Sequence, residues 1–188
     1  MRYAAIFLSC LVLCSCTYYS LVEGRAKHTV NDTYVIRTES PWNARSLGSA
    51  TILSQHGQNL DSLIFFRPTA DGEAPLVINT EYGKKMPIFK KGTSFIELPD
   101  LMKSSLMAAG YDDVLIQRTE NALMDGNKAL RVDFTMKMRA GPLLKGFSMM
   151  SIKKDTLFTV MFMAEETTYF PMVAKDAESL VASVSLLK

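Results

Sequence analysis

The stretch "ALRVDFTMKMR", residues 129–139, alternates without a break. Val132, Phe134, Met136 and Met138 fall on one side; Arg131, Asp133, Thr135, Lys137 and Arg139 fall on the other. Strand side chains alternate with period two, so this segment must put one face on a core and the other in water. A parallel strand covered on both sides would instead read as a continuous apolar run, so the pattern points to an antiparallel sheet. Its neighbours extend the pattern. "DVLIQRTE" precedes it, and "MDGNKA" between them supplies an Asp125-Gly126 turn suited to a hairpin. "KGFSMMSIKK" and "DTLFTVMFMAEE" come next as two further strands joined near Lys154-Asp155. The last is apolar on both faces, which predicts a central position.

Two segments change to helical spacing. Leu98, Leu101, Met102, Ser105, Leu106 and Ala109 predict a helix over residues 99–109, with Pro99 and Asp100 in its first turn and Gly110 as its stop. Phe170, Val173, Ala174, Ala177, Leu180, Val181 and Val184 predict a second, opening near Pro171 and laying its apolar stripe on the meander. Upstream, "TYVIRT", "SATILSQHG" and "LDSLIFFRP" read as strands, and "SPWNAR" reads as a turn. Strands, helix, four strands, helix is the order of an α+β fold: an antiparallel sheet of about six to seven strands with a C-terminal meander, packed with two helices.

The first sixteen residues belong to a different problem. "MRYAAIFLSCLVLCSC" has Arg2 as a minimal positive region and an apolar run over residues 3–13. That run is too short for a membrane-spanning helix, which needs roughly 20 apolar residues, and fits a signal peptide. Leu13-Cys14-Ser15-Cys16 then matches a bacterial lipobox, with Leu at −3, a small residue at −1 and Cys at +1. A thiol is the side chain best able to accept a diacylglyceryl group near neutral pH. Two or three acyl chains anchor firmly where one does not. The expectation is a signal peptide over 1–15, lipidation at Cys16, a lipidated tether over 16–28 and one domain over 29–188. Cys10 and Cys14 would leave with the signal, so the mature chain would carry no disulfide and no thiolate metal site. Thr17, not Asp, succeeds Cys16, which resembles an outer-membrane lipoprotein facing the periplasm.

Several stretches resemble an uncharacterised family of proteobacterial lipoproteins: "LDSLIFFRPTADGEAPL", "MPIFKKGTSFIEL", "DGNKALRVDF" and "TTYFPMVAKDAESLVASVSL". The "MPxF" and "YFP…ASV" pieces are the most specific. The region 113–187 also resembles the last part of a Mog1/PsbP-like domain, a meander and then a helix. These resemblances imply an α+β fold and an envelope location, and they carry over no catalytic residue.

Chemistry is sparse. The formal net charge is +2, with Lys and Arg interspersed among Asp and Glu, so no basic stripe points to nucleic acid. His28 and His56 lie in different segments without Cys or carboxylate at ligand spacing. No phosphate loop and no Gly-x-Ser-x-Gly motif is present. Glu165-Glu166 reads as a solvated strand end. Met136/Met138 and Met161/Met163, with Met149-Met150 between, either fill an irregular core or present soft sulfur to Cu(I). Lys84-Lys85 and Lys90-Lys91 either are solvated or touch anionic headgroups. "RAGPLLKG" puts Leu143 and Leu144 in a hairpin loop, where they either fold back onto the sheet or form a contact site. The expectation is a non-enzymatic binding or envelope-support lipoprotein with no cofactor, held to the membrane through Cys16, with an envelope protein as its possible partner. The alternative is a small-ligand or Cu(I) carrier using the Met-lined face.

Overall fold

The computed structural model describes residues 19–77, 86–139 and 141–187. Its strands are β1 (Ser20–Val22), β2 (Lys27–Val30), β3 (Tyr34–Arg37), β4 (Trp42–Ser46), β5 (Ala50–Ser54), β6 (Asp61–Phe66), β7 (Tyr111–Met124), β8 (Asn127–Met138), β9 (Leu143–Lys153), β10 (Thr156–Glu165) and β11 (Ser185–Leu186). The helices are α1 (Leu98–Ala108), between β6 and β7, and α2 (Tyr169–Ala182), between β10 and β11. Eight strands form one antiparallel sheet in the order β1-β4-β5-β6-β10-β9-β8-β7, and β11-β3-β2 form a second, small sheet. The α+β class, the antiparallel meander and both helices are as the sequence predicts. The main sheet is wider than six to seven strands because the N-terminal segments join it.

Each face of the main sheet carries a core. On one, Val173, Ala177, Leu180 and Val181 of α2 pack with Phe147, Val160 and Phe162, and Tyr34 and Ile36 of the small sheet close the layer. On the other, Leu98, Met102 and Leu106 of α1 pack with Val132, Phe134, Met136 and Met161, beside Phe89. Strand β10 is central as its composition demands, lying between β6 and β9. Strand β8 sends Val132, Phe134 and Met136 into the α1-side core, the apolar face its alternation marked. The turns that join the meander are tight. Asp125 and Gly126 have φ of 51° and 71°, and Lys154 and Asp155 have 50° and 58°, the positive values that a type I′ hairpin requires at both central residues.

Three expectations are corrected. "SPWNAR" is not a turn: Trp42 starts β4, is fully buried and pairs with Val22. Burying so large a ring outweighs the local Ser-Pro signal. The stretch 16–28 is not tether throughout, because β1 and part of β2 lie within it and Val22 enters the α2-side core. Leu143 and Leu144 are not loop residues. They open β9, and neighbouring strand residues must face opposite ways, so Leu144 is 4% exposed in the α1-side core while Leu143 is 43% exposed.

Candidate functional site: an open groove beside the second helix

Helix α2 packs on β10, β6, β9 and β3 and leaves the outer strands β7 and β8 less covered on that face. A groove of about 510 Å³ lies there, lined by Gln117, Arg118, Arg131, Asp133, Lys145 and Phe170, among others. Its charges come from the polar face of β8 and from the register. Arg118 lies opposite Asp133 and Glu120 opposite Arg131, so opposite charges face each other across β7 and β8.

Arg131 organises the groove. Its Nε donates to Asp133 Oδ1 at 2.8 Å and its Nη2 to Glu178 Oε1 of α2 at 2.7 Å. Its guanidinium lies 4.4 Å from the Phe147 ring centroid. Burial pulls the guanidinium pKa down, but the bonds to Asp133 and Glu178 outweigh it and the net shift is upward. Arg118 reaches Asp133 at 3.6 Å and also pairs with Glu120. At the other end, Lys145 Nζ sits 4.9 Å over the Phe170 ring, and among the described residues it has no ion pair. Gly146, beside Lys145, lets β9 pass close over the α1-side core beneath the groove: a Cβ there would come within 2.2 Å of the Phe162 carbonyl oxygen and 2.8 Å of the Phe134 ring.

The groove borders exposed apolar side chains. Leu115 lies opposite Thr135, which lies opposite Lys145, so the three form one row across β7, β8 and β9. Leu143, two residues before Lys145 on the same face, faces outward, and its carbonyl accepts the Glu166 amide at 3.1 Å. The site is thus an ion-pair floor beside an apolar rim, and among the described residues Lys145 stands outside its ion pairs.

The structure places the other sequence candidates elsewhere. His56 Nδ1 is 3.5 Å from the buried Asp61, whose carboxylate also accepts the Gln55 and His56 amides and the Ser54 hydroxyl. This carboxylate ties together the loop between β5 and β6, and the His56 ring rests 5.3 Å from Tyr169 at the start of α2. His28 bonds instead to the Glu23 carbonyl, so the two histidines serve separate structures. Among the described residues, no group of three or more His, Cys, Asp or Glu could hold a metal ion. Met136, Met150, Met161 and Met163 all pack in the α1-side core. Met138 and Met163 also line a cavity of about 80 Å³ with Tyr111, whose hydroxyl is 4.0 Å from the Met163 sulfur. Glu165 caps α2 and Glu166 lines the groove, so the adjacent carboxylates have separate tasks. Lys91 pairs with Asp155 at 2.8 Å. Cys10, Cys14, Cys16, Lys84 and Lys85 lie outside the described residues. Arg131 with Glu178, and Asp61, were not singled out by the sequence. The one signal for the first was the unbroken polar face of β8.

The chain's architecture is similar to that of solved proteins. The solution structure of cyanobacterial PsbP (CyanoP) from Synechocystis sp. PCC 6803 aligns with a TM-score of 0.58 at 10% identity, over 94% of this chain and 99% of that one. A crystal structure from Bacteroides thetaiotaomicron aligns with a TM-score of 0.52 at 11% identity, over 89% of this chain and 50% of that one. The fold is therefore PsbP-like. No family and no curated protein matches by sequence.

Proposed function

We propose that this chain is a bacterial lipoprotein, anchored to the outer membrane through Cys16 and facing the periplasm, whose α+β domain binds an envelope protein without catalysing a reaction. The observation that carries the binding role is Leu143, 43% exposed on the rim of the α2 groove. The lipobox Leu13-Cys14-Ser15-Cys16 supports the anchor. Leu143, Leu115 and Phe170 offer apolar area to the partner, and Lys145 offers it a charge. Arg131, held between Asp133 and Glu178, keeps α2 fixed against β8 so that the groove is preformed, which lowers the ordering cost of association.

The test places a photo-cross-linking residue at position 143 of the full chain in its native membrane, with a second chain labelled at position 123 for comparison. Leu123 lies on β7 and is also exposed, but it faces the opposite side of the sheet. A discrete adduct from position 143 that disappears with Lys145→Glu supports the proposal. Identical patterns from both positions, or an adduct indifferent to Lys145, overturn the groove as the contact face.

The second reading, a Cu(I) carrier, rests on the Met138 and Met163 side chains that share the small cavity with Tyr111. Anaerobic Cu(I) titration separates the two. Stoichiometric binding lost with Met163→Leu would favour the carrier.

A further inference from the structure

The folded part begins almost at the anchor. Only Thr17 and Tyr18 separate Cys16 from Tyr19, where the described structure starts. Three Cα-to-Cα steps span at most about 11 Å, which is on the order of one lipid headgroup layer. A protein whose Cys16 carries lipid cannot stand away from the bilayer on a leash of that length. The part of the fold nearest Cys16 must lie on the membrane surface, and that part is β1, the edge of the main sheet.

That edge has a surface to match. Tyr19 is 48% exposed and Leu21 is 62% exposed, two residues apart. Val22, the next residue, turns inward against Trp42, so β1 is fixed to the sheet while Leu21 projects away from that core. A tyrosine and a leucine side by side at the first residues of a lipidated domain have the amphipathic character that membrane–water interfaces favour. The opposite edge is β7. Eight strands spaced about 4.8 Å apart put it roughly 34 Å away across the sheet.

We infer that the protein sits on the lipid headgroups through the β1 edge, with Tyr19 and Leu21 in the interface, and that the sheet rises from the membrane so that β7 and the α2 groove face the periplasm. This rests on lipidation at Cys16. The occupant of the β1 edge is the lipid surface itself, because the covalent anchor leaves no room for a protein between them.

The experiment uses the full chain purified from membranes, with Leu21→Cys and, separately, Leu123→Cys. Each is labelled with an environment-sensitive fluorophore and reconstituted into phosphatidylethanolamine/phosphatidylglycerol vesicles with or without a headgroup-region quencher lipid. Intact mass reports lipidation of Cys16 in the same samples, and thermal unfolding confirms that each variant is folded. Lipidated protein in which the label at 21 loses most of its emission and the label at 123 loses none supports the inference. Lipidated protein in which neither label is quenched overturns the contact, and equal quenching at both overturns the upright orientation. An unmodified Cys16 overturns the lipoprotein reading and this inference with it, so the two failures are told apart by mass.

Discussion

The Tyr34 hydroxyl donates to the Phe66 carbonyl at 2.8 Å, and also lies 3.4 Å from the Thr159 carbonyl oxygen. One phenol on the small sheet thereby meets two central strands of the large one, β6 and β10. The residue is fully buried, with its ring 5.4 Å from Phe65 and 6.4 Å from Phe158. Burial pushes the phenol far above its ordinary pKa, with the bond to Thr159 acting in the other direction, so it is a neutral donor at every working pH. Tyr34→Phe keeps the ring and removes the donor. It should cost about 1–3 kcal/mol, the range for leaving a buried polar group unsatisfied. Urea unfolding should show a lower midpoint with an unchanged slope, because the buried area stays the same. An unchanged midpoint would mean the ring alone docks the small sheet.

Leu143 and Leu144 can be separated by single substitutions. Leu144→Ala should cost about 2–5 kcal/mol, the range for truncating a fully buried leucine. Leu143→Ala removes a side chain that is 43% exposed and should leave stability within about 0.5 kcal/mol while abolishing the adduct formed from the groove. Thermal unfolding of each variant, read beside partner cross-linking from position 117 in the lining of the same groove, checks both halves. A large loss of stability from Leu143→Ala would reassign it to the core.

The start of the folded unit is also testable. A chain beginning at Tyr19 retains β1 and β2 and should unfold cooperatively. A chain beginning at Thr29 loses β1, half of β2 and the Val22 side chain that pairs with the fully buried Trp42. Removing Val22 alone forfeits roughly 1.5–3 kcal/mol of burial, and Trp42 is then uncovered at a sheet edge. Trp42 is the only tryptophan in the chain, so its emission should shift to the red in the shorter form. Equal stability and identical emission for the two chains would return the domain boundary to residue 29.

The elements legible in the sequence are those whose burial is one-sided or complete. Strand β8 was readable because Val132, Phe134 and Met136 are fully buried while the residues between them are not, so period two survives in the sequence. Strand β10 was readable as central because both its faces are covered. Strand β7 runs for 14 residues, but only its start reads as strand; it is an edge strand with little buried surface, and its register shifts twice against β8. Strand β4 was hidden by Pro41, whose turn signal is local, whereas the burial of Trp42 is decided by residues far along the chain. The groove was the least legible part. Arg131 and Glu178 are 47 residues apart, and nothing in either segment announces the other. Leu144 was readable in principle, since two adjacent leucines in a strand cannot both face water.

Glu165 offers a prediction in pH. It ends β10, and its carboxylate accepts the Thr167 amide at 2.9 Å, the Thr168 amide at 2.8 Å and the Thr167 hydroxyl, closing the entry to α2. The Thr167 hydroxyl, then the Thr167 and Thr168 amides, hold its pKa down at about 2 from an ordinary 4.5. A carboxylate whose pKa falls on folding stabilises the fold fully above its unfolded value and loses that contribution as pH drops toward the folded one. Glu165→Ala should therefore lower the melting temperature by a constant amount at every pH well above 4.5, and the gap from the parent should narrow only between 4.5 and about 2. The measurement is a series of thermal melts of both chains from neutral to strongly acid pH. A gap already closed at pH 4.5 would show that the ionised carboxylate does not hold the helix start, and that Thr167 and Thr168 find their acceptors elsewhere.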